Sequence, residues 1–360
     1  MVNDLREFKR LLEEIRWLDA ELYGKDFVLT WERSIKEVRQ VLFTAEALKW
    51  LYDNNISIKC FESGIALVQV GDRHTPREAC SRLFFVMAAN FLGLTTHQVE
   101  YHGKEIRELC HSFLTGVEIV GVQELSPRVV EEIEDPKGTA TAAEGASQTV
   151  SAVEPPGSES SPRQPGIINL QCSWDNPIQA MADMLLLKDH FLSLERLAGK
   201  KIAVVWDNNT APISSPSVPQ GFVALASRFG MMVNLAYPKG YDLSPHVINV
   251  AKRHSESSSG AFVIVPSLEQ ALTGADAVYR LNWDISPPKE HTALLKSWTC
   301  TPDKMQLTND GTAFSMSGHD ADRYKPYIIT AIMVNNRLKD PAKLLGHLRK
   351  KNTQRLLSLD

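Results

Sequence analysis

The chain has 360 residues, 43% of them hydrophobic and 23% charged, which is enough for two ordinary domains with buried cores. Its formal net charge of −4 gives no general electrostatic attraction for nucleic acid or for an acidic membrane, so neither is expected as a partner. The five cysteines are scattered without a CxxC pair, which predicts reduced thiols and no metal site.

Two amphipathic helices are predicted at the start of the chain. Apolar residues recur at helical spacing from Leu5 to Leu22, and Ser34 with Glu37 forms a capping box ahead of a second apolar pattern. The first segment mixes acids and bases and lacks the apolar core of a signal peptide. No run approaches the roughly 18 apolar residues of a membrane span. A cytoplasmic location is therefore expected.

Short β-rich runs then alternate with helical patterns, which indicates a parallel sheet covered by helices. Residues 1–134 are predicted to form a first α/β domain. Its predicted strands are ISIKCF (56–61), IALVQV (65–70) and VEIVGV (117–122), with helical patterns around 80–93 and 104–115.

The composition changes between residues 135 and 166, where Thr, Ala, Ser, Gly, Pro and Glu dominate. Such a stretch cannot bury enough apolar surface to offset its ordering entropy, so it is predicted to be a disordered linker or insert. The alternation resumes over residues 167–325, which predicts a second α/β domain. A last helix, from Pro326 to Leu348 within residues 326–360, is long enough to pack back on the first domain.

The predicted fold class is therefore α/β, with two doubly wound parallel-sheet domains, a cleft between them and terminal helices that cross between domains. The loop from Asp207 to Gln220 contains no glycine, which argues against a bound dinucleotide, and no cofactor is predicted. GDRHTPREACSR (71–82) lies between an apolar strand and an apolar helix, where N–H groups and the helix dipole favour an anion. An exposed, charged turn is the alternative interpretation.

A set of phrases extends over nearly the whole chain outside residues 130–166. They are KDFVLTW (25–31), NFLGL (90–94), HGKEIREL (102–109), NLQCSWDNPIQAMADM (169–184), GKKIAVVW (199–206), SVPQG (217–221), RFGMMVNLAYPKGYDL (228–243) and YKPYII (324–329). Together they resemble the aspartate/ornithine carbamoyltransferase superfamily, and most closely its knotted carbamoyltransferase-like branch.

The resemblance implies a carbamoyl-phosphate domain (1–134), a second-substrate domain (167–325) and a homotrimer. The ligands that the resemblance implies for the protein are carbamoyl phosphate and an amino-acid-like second substrate. In that family a Ser-Thr-Arg-Thr-Arg helix start holds the phosphate, a strand-end Arg and a His-Pro-x-Gln turn hold the carbamoyl group, and a His-Cys-Leu-Pro turn completes the site. Donors aimed at the carbonyl oxygen and arginines on the departing phosphate suit this transfer without a covalent intermediate.

Two alignments of the phosphate motif remain open. Counting back from NFLGL places residues 78–82 on it, which retains Ser81 and Arg82. Counting forward from Ser63, with one residue missing, places residues 73–77 there and makes Thr75 and Arg77 the candidates. In either alignment, this chain lacks groups that the family uses to bind phosphate.

The carbamoyl-binding positions also depart from the family. Gln123 takes the position of the strand-end arginine, and Asn176 that of the histidine, while Pro177 and Gln179 are retained. Because an asparagine amide still donates to a carbonyl oxygen, Asn176 and Gln179 are predicted to hold the carbamoyl group.

The remaining candidates concern the second substrate. Ser217 of SVPQG and the loop after Trp206 are predicted to face it, and His319 lies on the His-Cys-Leu-Pro position within Ser-Gly-His-Asp. The chain then joins almost directly to YKPYII, omitting a segment that the family carries. The short connection between Asp322 and Tyr324 predicts an unknotted or locally altered path.

Three interpretations follow. The preferred one is a carbamoyltransferase that moves a carbamoyl group between carbamoyl phosphate and an amino or ureido compound. The second is a catalytically impaired family member with a degenerate active site that acts as a binding or scaffold protein. The third is an imperfect gene translation, since the departures cluster at motif positions and at the insert.

Overall fold

A computed structural model describes residues 5–70, 76–100, 116–123, 164–213, 215–283 and 292–356, with only the backbone at residues 76 and 77 and at 292–294. The structural statements below concern this part of the chain. The predicted helical pattern at 104–115, most of the predicted insert and Thr75 lie outside it, as does the side chain of Arg77.

Helices and strands alternate along the described chain, as the sequence predicts. The helices are α1 (Leu5–Leu18), α2 (Ile35–Asp53), α3 (Pro76–Leu92), α4 (Pro177–Phe191), α5 (Ser217–Arg228), α6 (Pro245–Ser257), α7 (Leu268–Leu272), α8 (Thr292–Ser297), α9 (Pro302–Met305), α10 (Lys325–Arg337) and α11 (Pro341–Lys351). The strands are β1 (Ile65–Val70), β2 (Thr95–Glu100), β3 (Val117–Gln123), β4 (Gly166–Gln171), β5 (Lys201–Trp206), β6 (Pro212–Ile213), β7 (Met232–Ala236), β8 (Ala261–Ile264), β9 (Ala277–Trp283) and β10 (Phe314–Ser317).

The first sheet is parallel and has the strand order β2-β1-β3-β4. The chain passes from β1 to β2 on one side and then to β3 and β4 on the other, so its winding reverses between β1 and β3.

Strand β4 corrects the expected start of the second domain. The strand near residue 167 was expected to open the second domain, but β4 pairs with β3 from Ile119–Gly166 to Gln123–Gln171 and completes the first sheet.

The second sheet is also parallel, with the order β10-β9-β5-β7-β8 and the short strand β6 beside β9. Its winding reverses between β5 and β9. Two such sheets, each with a reversal of winding, confirm the predicted doubly wound α/β fold. In folds of this kind, ligands bind beyond the carboxyl ends of the strands at the reversal, because neighbouring loops diverge there.

The capping box predicted at the start of α2 is present. The Ser34 hydroxyl accepts a hydrogen bond from the Glu37 N–H at 3.2 Å, and a Glu37 carboxylate oxygen accepts from the Ser34 N–H at 2.7 Å. These two bonds satisfy N–H groups that the first helical turn leaves without an intrahelical partner.

Two predicted elements differ in the structure. The run ISIKCF (56–61) forms no strand, and only Ile56 makes an isolated bridge, to Gln354. The final helix was predicted as one element, but α10 ends at Arg337 and α11 begins at Pro341. Proline has no N–H for a continuing helix and suits the first helical position instead, which explains the break.

Helix α10 contacts both α2 and α3, so the chain returns to the helices beside the first sheet. Every residue from Pro326 to Arg337 is buried. The connection before α10 is a single 3-10 turn at Asp322–Tyr324. The unknotted path stays a prediction, because residues 284–291, which lie between β9 and α8, are outside the described chain.

Candidate functional site

The carboxyl edge of the first sheet brings several predicted site residues together. Gln123 ends β3 and is 1% exposed. Its side-chain oxygen accepts a hydrogen bond from Arg82 Nη1 at 2.9 Å, and its side-chain nitrogen donates to the Glu78 carbonyl oxygen at 3.0 Å. Its backbone N–H donates to Gln69 Oε1 at 3.2 Å. Gln123 therefore ties β3 to α3 and β1, and carries no charge where the family carries an arginine.

Ser81 and Arg82 lie in the second turn of α3, and both are half-buried. The Ser81 hydroxyl lies 3.5 Å from Gln171 Oε1, at the end of β4. A guanidinium has five N–H donors, and among the described residues Arg82 donates one hydrogen bond, to Gln123, so it retains capacity for an anionic ligand. The alternative alignment of the phosphate motif would place residues 73–77 across the start of α3, and it stays a prediction.

Asn176 occupies the N-cap position of α4, and Pro177 is the first helical residue. The Asn176 Oδ1 atom accepts a hydrogen bond from the Gln179 N–H at 3.0 Å. This bond fixes which way the side-chain amide faces, because the oxygen has to meet the helix N–H. The amide NH₂ group is thus directed away from the helix end and retains its capacity to donate to a ligand.

Asp175, which the sequence reasoning missed, anchors the same turn. It is completely buried, and its Oδ2 atom accepts a hydrogen bond from the Thr30 N–H at 2.6 Å. Burial raises the pKa of Asp175 to about 7, although the hydrogen bonds from Thr30 act in the opposite direction. A Cβ atom at Gly221 would lie 2.3 Å from Asp175 Oδ1, so this helical position in α5 accommodates only glycine without movement.

Gln179 is fully buried in the first turn of α4. Its side-chain nitrogen donates to Asp183 Oδ1 at 2.8 Å, and Asp183 Oδ2 accepts a hydrogen bond from the Tyr279 hydroxyl at 2.7 Å. Gln179 is therefore connected through Asp183 to strand β9 of the second sheet. Its predicted contact with a carbamoyl group stays a prediction.

Ser217 and His319 occupy different surroundings. Ser217 is the first residue of α5 and is fully buried, and its backbone N–H donates to Ser215 Oγ at 3.2 Å. Gln220, in the same SVPQG segment, donates a side-chain hydrogen bond to the Trp174 carbonyl oxygen at 2.8 Å. The segment therefore contacts the turn before Asn176. The His319 side chain is 62% exposed, and its Nδ1 atom lies 3.4 Å from Asp322 Oδ2.

A small pocket lies between α3, α4 and α10. Its volume is about 260 Å³, including the part open to solvent. Ser81, Asn176 and Lys325 are the polar residues among the described ones that line it. Its apolar lining comes from Phe84, Leu170, Ile178 and Ile329. The structure therefore brings together Ser81 and Asn176, which belong to two separate predicted motifs. The other described site candidates are not among the lining residues: Arg82, Gln123, Gln179, Ser217 and His319. Arg82 is next to Ser81 in α3 and contacts Gln123.

Lys325 is the lining residue that the sequence reasoning missed as a site residue, although it lies in the quoted phrase YKPYII. It begins α10, and its side chain is 12% exposed. Its Nζ atom lies 2.5 Å from Asp322 Oδ1 and 5.4 Å from the centre of the Phe84 ring. A lysine at a helix N-terminus opposes the helix dipole, and this unfavourable placement was the available sequence signal.

The described residues contain no group of three His, Cys, Asp or Glu side chains arranged to hold a metal ion. Within the same ranges, none of the helices has both the length and the apolar character needed to cross a membrane.

Comparisons with known proteins agree with the fold. The family model described as the Asp/Orn binding domain of aspartate/ornithine carbamoyltransferase matches residues 198–315. Putative carbamoyltransferase YgeW of Escherichia coli (strain K12) is 33% identical, over 98% of this chain and 100% of its own length. That alignment extends over 410 positions, more than the 360 residues of this chain, so YgeW contains segments that this chain lacks.

Other similar proteins match less of the chain or have lower identity. An ornithine carbamoyltransferase of Methanobrevibacter smithii is 30% identical over 41% of this chain and 46% of its own length. The structure of ornithine carbamoyltransferase from Pyrococcus furiosus superposes with a TM-score of 0.68 at 16% identity, covering 88% of this chain and 98% of that chain. An N-acetyl-L-ornithine transcarbamylase variant, complexed with carbamyl phosphate and N-succinyl-L-norvaline, superposes with a TM-score of 0.65 at 20% identity, covering 86% of this chain and 98% of its own. With YgeW matched over its full length, the chain belongs to the aspartate/ornithine carbamoyltransferase family.

Proposed function

We propose that the protein transfers a carbamoyl group between carbamoyl phosphate and an amino or ureido compound. The observation that carries this proposal is the pocket in which Ser81 of α3 and Asn176 of α4 meet. It lies near the carboxyl ends of β3 and β4, close to where the winding of the first sheet reverses. The helices α4 and α10 both begin at this pocket, and their N-terminal dipole ends favour an anionic ligand.

In the proposed complex, Arg82 and Ser81 bind the phosphate, and the Asn176 NH₂ group donates to the carbamoyl oxygen. That oxygen gains negative charge when the acceptor amine attacks, so a donor fixed beside it stabilises the transition state. One such donor contributes about a hundred- to a thousandfold in rate. Arg82 is held in place by Gln123, so its guanidinium needs little reorganisation when the phosphate departs.

The second substrate is proposed to be amino-acid-like and to lie near the loop after Trp206. This loop leaves the carboxyl end of β5, beside the reversal of winding in the second sheet. The Ser217 hydroxyl oxygen is buried and has no hydrogen-bond partner among the described residues. A buried hydroxyl without a partner is energetically unfavourable, and a polar substrate group would relieve that cost.

A homotrimer is part of the proposal. Leu83 is 55% exposed and Met87 is 36% exposed, and they are four residues apart on α3, so they lie on one face of the helix. Burying this face against a second copy would remove apolar surface from water next to Ser81. Light scattering of the wild-type chain and of Leu83→Arg checks this, and a monomeric wild type would refute it. The cytoplasmic location stays a prediction.

The test of the function is a transfer assay. Purified protein is incubated with carbamoyl phosphate and a panel of amino acids, amines and ureido compounds, and both phosphate release and the ureido product are measured. We expect acceptor-dependent release that Asn176→Asp abolishes, because the new carboxylate keeps the helix cap but repels phosphate.

Asn90→Asp on α3 serves as the control, since Asn90 is exposed and is not among the described residues of the pocket. It should retain the activity of the wild type. Release that needs no acceptor, or that Asn176→Asp leaves unchanged, would contradict the proposal. Binding of carbamoyl phosphate without turnover would instead indicate the impaired, scaffold-like family member, which no observation here favours.

A further inference from the structure

The polar groups of the pocket contain a cation that the predicted motifs do not include. The strand-end arginine of the family is replaced by Gln123, whose side-chain amide is occupied by Arg82 and by the Glu78 backbone. Among the phosphate-motif residues whose side chains the structure describes, Arg82 is then the one cation for a phosphate that carries up to two negative charges. Lys325 lies in the same pocket as Ser81 and Asn176, although it comes from the other end of the chain.

The surroundings of Lys325 favour a charged ligand. Its side chain is only 12% exposed, and the apolar residues Phe84, Leu170, Ile178 and Ile329 limit the access of water. An ion pair is stronger where water is excluded, because the local dielectric constant is lower than in bulk water. The ammonium group also lies within 5.4 Å of the Phe84 ring centre, which holds the charge near the pocket.

Asp322 is the acidic partner of Lys325 in the structure. Its Oδ1 atom lies 2.5 Å from Lys325 Nζ, and its Oδ2 atom lies 3.4 Å from His319 Nδ1. The Asp322 side chain is 33% exposed, whereas that of Lys325 is 12% exposed. The Asp322 side chain as a whole is thus the more exposed partner, although its Oδ1 atom is buried. The carboxylate would turn this oxygen toward water once a ligand replaced it beside the ammonium group.

We infer that Lys325 is a substrate-binding residue for the phosphate group of carbamoyl phosphate, and that Asp322 occupies the ammonium group until this phosphate replaces it. The inference rests on the proposed function and names the cation that compensates for the missing strand-end arginine. His319 contacts Asp322 rather than the pocket. Its role is that of a positioning residue, which holds the carboxylate after the exchange.

Substitutions of Lys325 and of Asp322 are expected to change the affinity for phosphate ligands in opposite directions. Lys325→Met removes the attraction, so the dissociation constant for phosphate ligands should rise about 10- to 100-fold, the usual effect of losing one charge-assisted hydrogen bond. Asp322→Asn removes the competing carboxylate but keeps the lysine, so the ligand should bind several-fold more tightly. A purely structural ion pair would predict weaker binding for both variants, because either substitution would disturb the pocket.

The test is calorimetric titration of the full chain with phosphonoacetamide, an analogue of carbamoyl phosphate that cannot transfer its carbamoyl group, and with inorganic phosphate. Lys343→Met is the matched control, because it removes an equal charge from an exposed position on α11. We expect the wild type and Lys343→Met to bind alike, Lys325→Met to bind more weakly, and Asp322→Asn to bind more tightly. In the transfer assay, Lys325→Met should raise the KM for carbamoyl phosphate more than the KM for the acceptor.

The measurements distinguish a failure of the Lys325 inference from a failure of the proposed function. Equal affinities of the wild type and Lys325→Met, with turnover intact, would overturn the role of Lys325 and leave the proposed function standing. Absence of binding and turnover in both the wild type and Lys343→Met would overturn the proposed function and this inference together. If Lys325→Met does not fold, Lys325→Arg and Asp322→Asn replace it. Weaker binding by Asp322→Asn would then refute the exchange of partners.

Discussion

The buried carboxyl group of Asp175 should make the stability of the fold depend on pH in a way that one substitution removes. In the folded chain burial raises its pKa to about 7, from an ordinary value of 3.8. A group with a raised folded-state pKa binds its proton more tightly when folded, so folding is favoured at low pH. The contribution is lost as the pH rises from about 4 to about 7.

The difference of about three pKa units corresponds to about 4 kcal/mol of unfolding free energy across that range. Asp175→Asn cannot ionise, and its amide oxygen can still accept the hydrogen bond from the Thr30 N–H. Relative to the wild type, the variant should therefore become more stable as the pH rises, by up to about 4 kcal/mol between pH 4 and pH 8. Urea unfolding at a series of pH values measures this difference.

Other groups with shifted pKa values, such as Glu46 and His254, are present in both proteins, so their effects cancel in the comparison. Asp303→Asn, at an exposed position in α9, is the control and should follow the wild type. If the unfolding free energies of the wild type and Asp175→Asn ran parallel at all pH values, the buried, proton-binding state of Asp175 would be refuted.

Two further substitutions test the packing around the site. Gly221→Ala should destabilise the fold by about 1–3 kcal/mol, because the new methyl group would collide with Asp175. Gly346→Ala, also in a helix but with its nearest contact at 3.8 Å, should stabilise it by about 0.5–1 kcal/mol, and thermal unfolding distinguishes the two signs. Tyr279→Phe removes a hydrogen bond to the buried Asp183 and should cost about 1–3 kcal/mol in urea unfolding, with no loss expected if the contact is incidental.

Strands that are buried on both faces could be predicted from sequence, whereas exposed ones could not. IALVQV and KIAVVW have buried interiors, and both form strands where the apolar runs predict them. Strand β2 has the sequence TTHQVE and is largely exposed at a sheet edge, so it has no apolar pattern to recognise. ISIKCF has alternating apolar residues but finds no neighbouring strand, which depends on the tertiary fold rather than on local sequence.

The motifs singled out Ser81 and Asn176, and the structure places both at one pocket, while their binding roles stay predictions. The site was not predictable where the deciding contact joins distant residues. Tyr279 and Asp183, which hold Gln179, are 96 positions apart in the chain. Lys325 belongs to a phrase whose apolar residues explain it as part of a buried helix, so its position in the pocket becomes visible only when α10 returns to α3.

The central claim is that the pocket between α3, α4 and α10, together with the neighbouring Arg82, holds a small phosphorylated compound. Calorimetric titration with freshly prepared carbamoyl phosphate tests it most directly. The account predicts micromolar binding by the wild type, about 10- to 100-fold weaker binding by Arg82→Ala, and unchanged binding by Arg77→Ala. No detectable binding by a folded wild-type chain would contradict the claim, and weakening by Arg77→Ala alone would move the phosphate site to the start of α3.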